Sequence, residues 1–241
     1  MNDITAMVIT PDMVVRGIDC ASAERVKEGN TGGGTGMLSH GFKGGTGSAS
    51  RVVSGAVFGE ETTYTVAALV QANYGTKRDL RFGGIPVGRL IVEAEDAAAA
   101  AAKTQELEDG RRGKDGSIIV VIATDAPLHP TQLQRLAKRA TVGLSRVGGW
   151  GSNSPGDIFV AFSTAEKILR KSNARWKPTV GQKVSVVEDG TINSLFEGAA
   201  EATEEAIYNA LVGAEDMEGP GGVRVKALDH EMLKNIVEKY V

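Results

Sequence analysis

Ser117 has the sequence setting that most clearly allows chemistry. It follows Gly116 and opens the run 117–124, SIIVVIAT, and this order is typical of a turn that enters a buried strand. Gly116 can adopt dihedrals that other residues avoid. If the chain cut itself between Gly116 and Ser117, the new α-amine of Ser117, with a pKa of roughly 7.7–8, could activate its own hydroxyl. The same pattern is also typical of a serine that only completes a turn.

Three other polar residues could assist such a nucleophile. Asn73 ends a predicted strand, where asparagine commonly makes a turn, although its amide could instead donate to a reacting carbonyl oxygen in an oxyanion hole. Ser154 and Asp157 lie in the polar loop 151–157, GSNSPGD. This loop is either an ordinary turn or a place where a carboxylate and a hydroxyl orient an amine beside the nucleophile.

The segment 28–47 is rich in glycine, which predicts a loop with tight backbone geometry. Its stretch 44–48, GGTGS, is similar to turns that cradle phosphates. The chain has no GxxxxGK[ST] pattern, however, and the loop precedes a predicted strand instead of opening a helix. We therefore favour a loop whose backbone approaches another chain or a substrate.

Periodicity predicts a sheet layered with helices, without a strict βαβ repeat. Strands are expected at 51–58 and 62–74 (joined as a hairpin), 85–92, 117–124 (buried on both faces), 156–163 and 183–187. Helices are expected at 11–18 with Thr10 as N-cap, 130–147, 193–217, and from Asp229 to Tyr240. The alanine-rich segment 93–114 is expected to be a solvated surface segment.

Composition excludes several classes of function. The net charge of −3 from 27 basic and 30 acidic residues does not favour nucleic acid or an anionic membrane, and no apolar run is long enough to span a bilayer. Cys20 is the single cysteine, so no internal disulfide forms. The three histidines have no metal-binding spacing, so we do not expect a histidine-rich metal site.

Several blocks in register resemble one family, the L-aminopeptidase/D-amidase-esterase and β-peptidyl aminopeptidase group (DmpA type). They are 29–37 (GNTGGGTGM), 41–51 (GFKGGTGSASR), 70–75 (VQANYG), 116–128, 156–164 and 202–211. The resemblance extends over nearly the whole chain except the insert 93–114. It implies an α+β fold, a four-layer αββα sandwich of the self-processing DmpA and ornithine acetyltransferase type, as one peptidase domain over 1–241.

The resemblance also assigns roles to individual residues. It implies self-cleavage between Gly116 and Ser117, which divides the chain into an α-subunit part, 1–116, and a β-subunit part, 117–241. Ser117 matches the nucleophile, Asn73 the oxyanion-hole asparagine, and Asp157 the acidic residue near the substrate amine. The implied protein is a cytoplasmic homo-oligomer that hydrolyses short peptides, amino-acid amides or esters without cofactor. α-Peptides, β-peptides and D-amino-acid amides all remain open as substrates.

The sequence departs from the family pattern at two places. The family has a serine where Pro155 stands, so Ser154 is expected to supply that hydroxyl. Family members also have a segment before the start of this chain that contributes strands and a tyrosine, so we expect the chain to be incomplete at its N-terminus. Two alternatives follow: an inactive or binding paralogue on the same fold, or a related self-processing acyltransferase, whose threonine nucleophile the serine disfavours.

Overall fold

The structure is a computed structural model that describes residues 3–57, 59–101, 116–167 and 183–240. The strands in chain order are β1 (Leu38–Ser39), β2 (Phe42–Lys43), β3 (Thr46–Val57), β4 (Glu60–Asn73), β5 (Ser117–Thr124), β6 (Ile158–Ser163), β7 (Met217–Glu218) and β8 (Arg224–Val225). The helices are α1 (Pro11–Asp19), α2 (Val87–Ala101), α3 (Pro130–Ala137), α4 (Ala140–Val147), α5 (Asn193–Val212) and α6 (His230–Val237).

The central sheet has four strands in the order β3-β4-β5-β6. β3 and β4 form the expected hairpin, which turns at Gly59, where φ is +88°. β5 adds antiparallel to β4, and β6 adds parallel to β5. The connection from β4 to β5 and the connection from β5 to β6 therefore both arrive at the same end of the sheet, where β5 and β6 begin.

Helix α5 packs on one face of this sheet, which we call the covered face. Val66, Val70, Val120 and Ile122 alternate along β4 and β5 with residues of the opposite face and are fully buried here. The helix approaches closely because small residues line the contact: a Cβ on Gly47 would lie 1.9 Å from the carbonyl oxygen of Ala206. Helix α4 packs in turn on α5.

The opposite face, which we call the open face, carries Ser117, Ile119 and Val121 of β5 and the exposed side chains of β6. Ile119 is 43% exposed, and Ile158 and Phe162 are 58% and 45% exposed. The prediction that β5 is buried on both faces is therefore wrong for the residues that the structure describes. Alternating burial along the strand shows that the described part of the chain covers only the face toward α5.

Several predicted elements differ from those observed. The predicted strand 85–92 is wrong, because α2 begins at Val87 and includes the start of the alanine-rich segment through Ala101; the rest of that segment, 102–115, lies outside the described residues. Residues 183–187 form no strand. The helix predicted over 130–147 is two, α3 and α4, and the one predicted over 193–217 ends at Val212.

The capping predictions at the two ends of the chain are confirmed. The Thr10 side chain accepts from the Met13 N–H at the start of α1, and the Asp229 side chain accepts from the Met232 N–H at the start of α6. The predicted glycine-rich loop contains a 3₁₀ turn, Gly32–Gly36, and the short strands β1 and β2. Within the described ranges, no helix has the length and apolar character needed to cross a bilayer.

Candidate active site

Asn73 and Ser117 lie opposite each other at one end of the central sheet. They are the last residue of β4 and the first residue of β5, and the antiparallel register pairs them. Residues opposed in this way direct their side chains to the same face, with Cβ atoms roughly 4.5–5.5 Å apart. The sheet therefore brings together, on its open face, a hydroxyl and an amide from distant parts of the sequence.

Gly116 passes so close to β4 that no side chain fits at this position. A Cβ on Gly116 would lie 2.0 Å from the backbone oxygen of Asn73. Gly116 is not one of the glycines with a positive φ. Close approach of the two backbones, and not a left-handed conformation, is therefore the reason that glycine precedes Ser117.

The loop before β6 makes two hydrogen bonds to the start of β5. Because β6 runs parallel to β5 with Ile158 beside Ile119, the preceding residues lie next to Ser117. The Gly156 N–H donates to Ser117 Oγ at 2.9 Å, and Asp157 Oδ1 accepts from the Ile118 N–H at 3.0 Å. The first bond can stabilise negative charge on Oγ. The second holds the Asp157 carboxylate beside the first two residues of β5.

Ser154 lies in the same loop but takes no part in these two hydrogen bonds. Its side chain is exposed, and no hydrogen bond within the described residues joins it to Ser117 or Asp157. Pro155, at the position where the resemblance implies a serine, lines the cavity described below. The role expected of Ser154 stays a prediction that would require the loop to move.

The Asn73 amide is oriented by the glycine-rich loop. The backbone N–H of Leu38 donates to Asn73 Oδ1 at 2.9 Å. Because the carbonyl oxygen of the amide accepts this bond, its NH₂ group points elsewhere and keeps its two donors. This is the orientation that an amide needs if it is to donate to an oxyanion.

A cavity of about 300 Å³ lies beside Gly116. Asp79 and Asp157 line it, Trp150 forms one wall, and among the residues that the structure describes no lysine or arginine contributes to its lining. The Trp150 indole N–H donates to Asp79 Oδ2 at 3.3 Å, which holds the ring against that carboxylate. Two carboxylates beside an aromatic wall suit a ligand that combines an amine with apolar atoms.

Two buried aromatic side chains lie beneath this end of the sheet. The rings of His40 and Tyr74 meet edge to face with their centroids 4.8 Å apart, and both residues are buried. Burial lowers the pKa of His40 to about 4 and raises the pKa of Tyr74 well above its usual value. Both are neutral at pH 7, so neither balances the two carboxylates of the cavity.

The sequence did not predict the hydrogen-bond donors and cavity residues that lie around Ser117, Asn73 and Asp157. The N–H groups of Leu38 and Gly156 carry no sequence signal, since every residue except proline has one. Asp79 and Trp150 belong to no recognisable motif and meet only in the fold. Among the described residues, no group of three or more His, Cys, Asp or Glu side chains is arranged to hold a metal ion.

Comparison with known proteins gives consistent matches over the whole chain. The model of Peptidase family S58 matches residues 1–225. Beta-peptidyl aminopeptidase BapA from Sphingosinicella microcystinivorans is 44% identical, over 100% of this chain and 59% of that protein. The BapA of Sphingosinicella xenopeptidilytica is 39% identical, over 99% of this chain and 57% of that protein.

Solved structures agree with the sequence comparison. A beta-aminopeptidase from Burkholderia sp. superposes with a TM-score of 0.81 at 42% identity, over 99% of this chain and 61% of the other. The L-aminopeptidase D-Ala-esterase/amidase of Ochrobactrum anthropi, described as a variant of the Ntn hydrolase fold, gives 0.79 at 41%, over 99% and 60%. The expected fold class is thereby confirmed. The chain spans about 60% of the length of the relatives that it matches.

Proposed function

The chain belongs to peptidase family S58, and from that premise we propose that it is the catalytic core of a self-processing aminopeptidase with Ser117 as its N-terminal nucleophile. The observation that carries the proposal is the pairing of Ser117 with Asn73 at the start of β5, directly after a glycine that has no room for a Cβ unless the two backbones separate. We also propose one peptidase domain, divided by cleavage into 1–116 and 117–241.

Self-cleavage would begin with attack of Ser117 Oγ on the carbonyl carbon of Gly116. The bond between that carbon and the Ser117 nitrogen breaks as the nitrogen takes up a proton, which leaves an ester between Gly116 and Ser117 Oγ. Water then hydrolyses the ester to a carboxylate on Gly116 and a free Ser117 hydroxyl and amine. The Gly156 N–H, 2.9 Å from Oγ, supports the attack because it stabilises charge on that oxygen.

Substrate turnover would use the same oxygen a second time. The freed α-amine of Ser117 takes the hydroxyl proton as Oγ attacks the scissile carbonyl of the substrate, and it returns the proton to the leaving amine. The Asn73 NH₂ donates to the oxyanion, and water then hydrolyses the acyl-enzyme. Asp157, held beside Ile118 at 3.0 Å, would orient the amine that acts as the base.

The substrate class follows from the cavity and from the matched proteins. The names of the matched proteins specify β-peptidyl and L-amino-acid N-termini. A free amine on the substrate fits a cavity with Asp79 and Asp157 in its lining. We therefore propose short peptides or amino-acid amides with a free N-terminus as substrates. From the family resemblance we also propose that the working form is a cytoplasmic homo-oligomer.

A second candidate is an inactive paralogue on the same fold. Pro155 replaces the hydroxyl of the family pattern, and the nearest serine before it, Ser154, is exposed. In this case the chain would remain whole, or would be cut and then fail to turn over aminoacyl substrates.

Intact-mass spectrometry of the purified chain tests the proposal. We expect two fragments, 1–116 and 117–241, and a single mass for Ser117→Ala, because the variant has no oxygen to attack Gly116. Ser152→Ala is the matched serine control and is expected to be cut normally, whereas slower cutting of Ser154→Ala would support the role expected of the Ser154 hydroxyl. A Ser117→Ala chain cut at the same bond would refute the mechanism.

The pH dependence of turnover provides a second test. The rate should rise through roughly pH 7–8 as the Ser117 α-amine loses its proton. An aminoacyl-nitroanilide assay measures this rise directly. Loss of activity on chelation, reversed by added zinc, would indicate a metallopeptidase and contradict the proposal.

A further inference from the structure

Lys43, in the glycine-rich loop, has its whole side chain buried. Its exposed fraction is 0%, although lysine is rarely buried without a charged partner. Its Nζ donates to three backbone carbonyls, of Gly34 at 3.0 Å, Met37 at 2.9 Å and Gly44 at 2.6 Å. Because an ammonium has three donors, these carbonyls satisfy it completely. Lys43 therefore joins three successive parts of the loop.

One of these contacts lies on the peptide group that orients Asn73. The carbonyl of Met37 and the N–H of Leu38 belong to the same planar peptide unit. The oxygen of this unit accepts from Lys43 Nζ and from the Gly44 N–H at 3.0 Å. Its N–H donates to Asn73 Oδ1 at 2.9 Å. The plane cannot rotate away from Asn73 without breaking the bonds to Lys43 and Gly44.

We propose that Lys43 is a positioning residue that fixes the orientation of the Asn73 amide through the Met37–Leu38 peptide. This inference rests on the proposed function, because the orientation matters to catalysis only if Asn73 donates to the oxyanion. An amide turned by 180° would present its oxygen to the developing negative charge and would repel it. The charge on Lys43 also polarises the peptide, which strengthens the Leu38 N–H as a donor.

Burial is consistent with a fixed, dry contact. Desolvation lowers the pKa of Lys43 to about 8, so the ammonium persists at pH 7 within its ring of carbonyls. The three carbonyls matter because Lys43 is buried: an exposed ammonium would be hydrogen-bonded by water and would not need them. The loop residues 34–44 thus place a buried cation one peptide group away from Asn73.

The first test measures turnover and processing in Lys43→Met. The methionine keeps the length of the side chain and removes its donors. We expect kcat and the processing rate to fall about 10- to 100-fold with KM unchanged within about twofold, because misplacing a catalytic donor acts on the transition state. Thr203→Val is the control: Thr203 is buried in α5 and donates to the Ala199 carbonyl, so it should lower the melting temperature while leaving kcat unchanged.

A double-mutant cycle separates positioning from general damage. In an Asn73→Ala background, Lys43→Met should cause no further loss of kcat, because the group it positions is gone. Losses that multiply in the double variant would overturn the proposal. Lys43→Gln, which retains two N–H donors, replaces Lys43→Met in the cycle if the methionine variant does not fold.

Amide hydrogen exchange tests the contact without any assay of activity. The Leu38 N–H should be protected in the unsubstituted chain, and its exchange should accelerate at least 10-fold in the Lys43 variant. The reference is the N–H of His40 in the same loop, which donates to the carbonyl of Tyr74 just after β4. An unprotected Leu38, or one whose exchange does not respond, overturns the proposal. Protection that responds as expected in a chain with no processing or turnover would refute the proposed function alone.

Discussion

The two faces of the central sheet are built from similar residues but meet different surroundings. On β5, Ile118, Val120 and Ile122 are fully buried against the helical layer, whereas Ile119 on the open face is 43% exposed. The candidate nucleophile Ser117 and its partner Asn73 belong to the open face. The covered face thus holds the strands in register, and the open face, with its exposed side chains, presents the reactive groups.

The candidate site lies at an end of the sheet, where polar contacts replace apolar packing. The covered face is apolar along its centre and becomes polar towards its margins, among them the end near the glycine-rich loop, where His40 and Tyr74 are buried. Apolar burial at the centre provides stability without directional contacts. The loop provides the directional hydrogen bonds, such as that from Leu38 to Asn73.

The largest effect should come from a matched pair of isoleucines on β5. We expect Ile122→Ala to lower the free energy of unfolding by about 3–4 kcal/mol, because it leaves a cavity against a fully packed layer. Ile119→Ala, the same change on the open face, should lower it by about 1 kcal/mol or less. Urea unfolding of both variants measures the difference. Equal losses would mean that the open face is covered in solution.

His40 should make stability depend on pH at the polar end of the covered face. Its pKa is lowered to about 4 in the folded chain, whereas the unfolded chain binds the proton near 6.5. The unfolded state therefore holds more protons between these values, and the free energy of unfolding should fall by about 3 kcal/mol as the pH falls from 6.5 to 4.

The control for this prediction is His40→Asn, since asparagine tolerates the φ of +50° at this position. The variant should be less stable at pH 7 and should lack the extra loss of stability between pH 6.5 and 4. Urea unfolding at pH 7, 5.5 and 4 compares the two chains. Parallel pH profiles would contradict the assignment of the slope to His40.

Gly116→Ala should have a smaller effect, localised at the end of the sheet where β4 ends and β5 begins. A Cβ would lie 2.0 Å from the Asn73 oxygen, so the backbones must separate, at a cost of about 2 kcal/mol. Self-cleavage should slow at the same time, because the shift moves Ser117 away from Asn73. Gly156→Ala is the control: its Cβ would meet only Ser117 Oγ at 3.9 Å. Normal cleavage in Gly116→Ala would contradict this account.

The sequence predicted the fold best where one signal dominated. The hairpin of β3 and β4 and the caps at Thr10 and Asp229 follow from local alternation and capping chemistry, and all are observed. The predicted strand 85–92 was wrong because the β-branched run outweighed the helical spacing of Val87 and Ile91, which are both buried on one side of α2. Tertiary packing decided that segment, as it commonly does.

The candidate site was predictable only in part, for a different reason. Ser117, Asn73 and Asp157 have side chains whose chemistry is visible in a sequence, and the fold places all three at the start of β5. The Leu38 N–H and the burial of Lys43 are products of loop geometry. A lysine between Phe42 and Gly44 normally indicates a solvated residue, so nothing local predicts that three carbonyls surround it.

The smallest effect should come from the charged edge of the covered face. Arg51 of β3 contacts Glu201 at 2.8 Å and Glu205 at 2.6 Å on α5, and all three side chains are between a third and a half exposed. Water already solvates these groups and salt screens them, so the ion pairs contribute little beyond the packing of the Arg51 stem. Arg51→Met keeps most of that stem and should lower the free energy of unfolding by less than about 1 kcal/mol. The difference should shrink further in high salt. Urea unfolding at low and high ionic strength measures this loss. A salt-independent loss near that of Ile122→Ala would show that the edge of the covered face is as desolvated as its centre. Burial would then not distinguish the edge from the centre of the covered face.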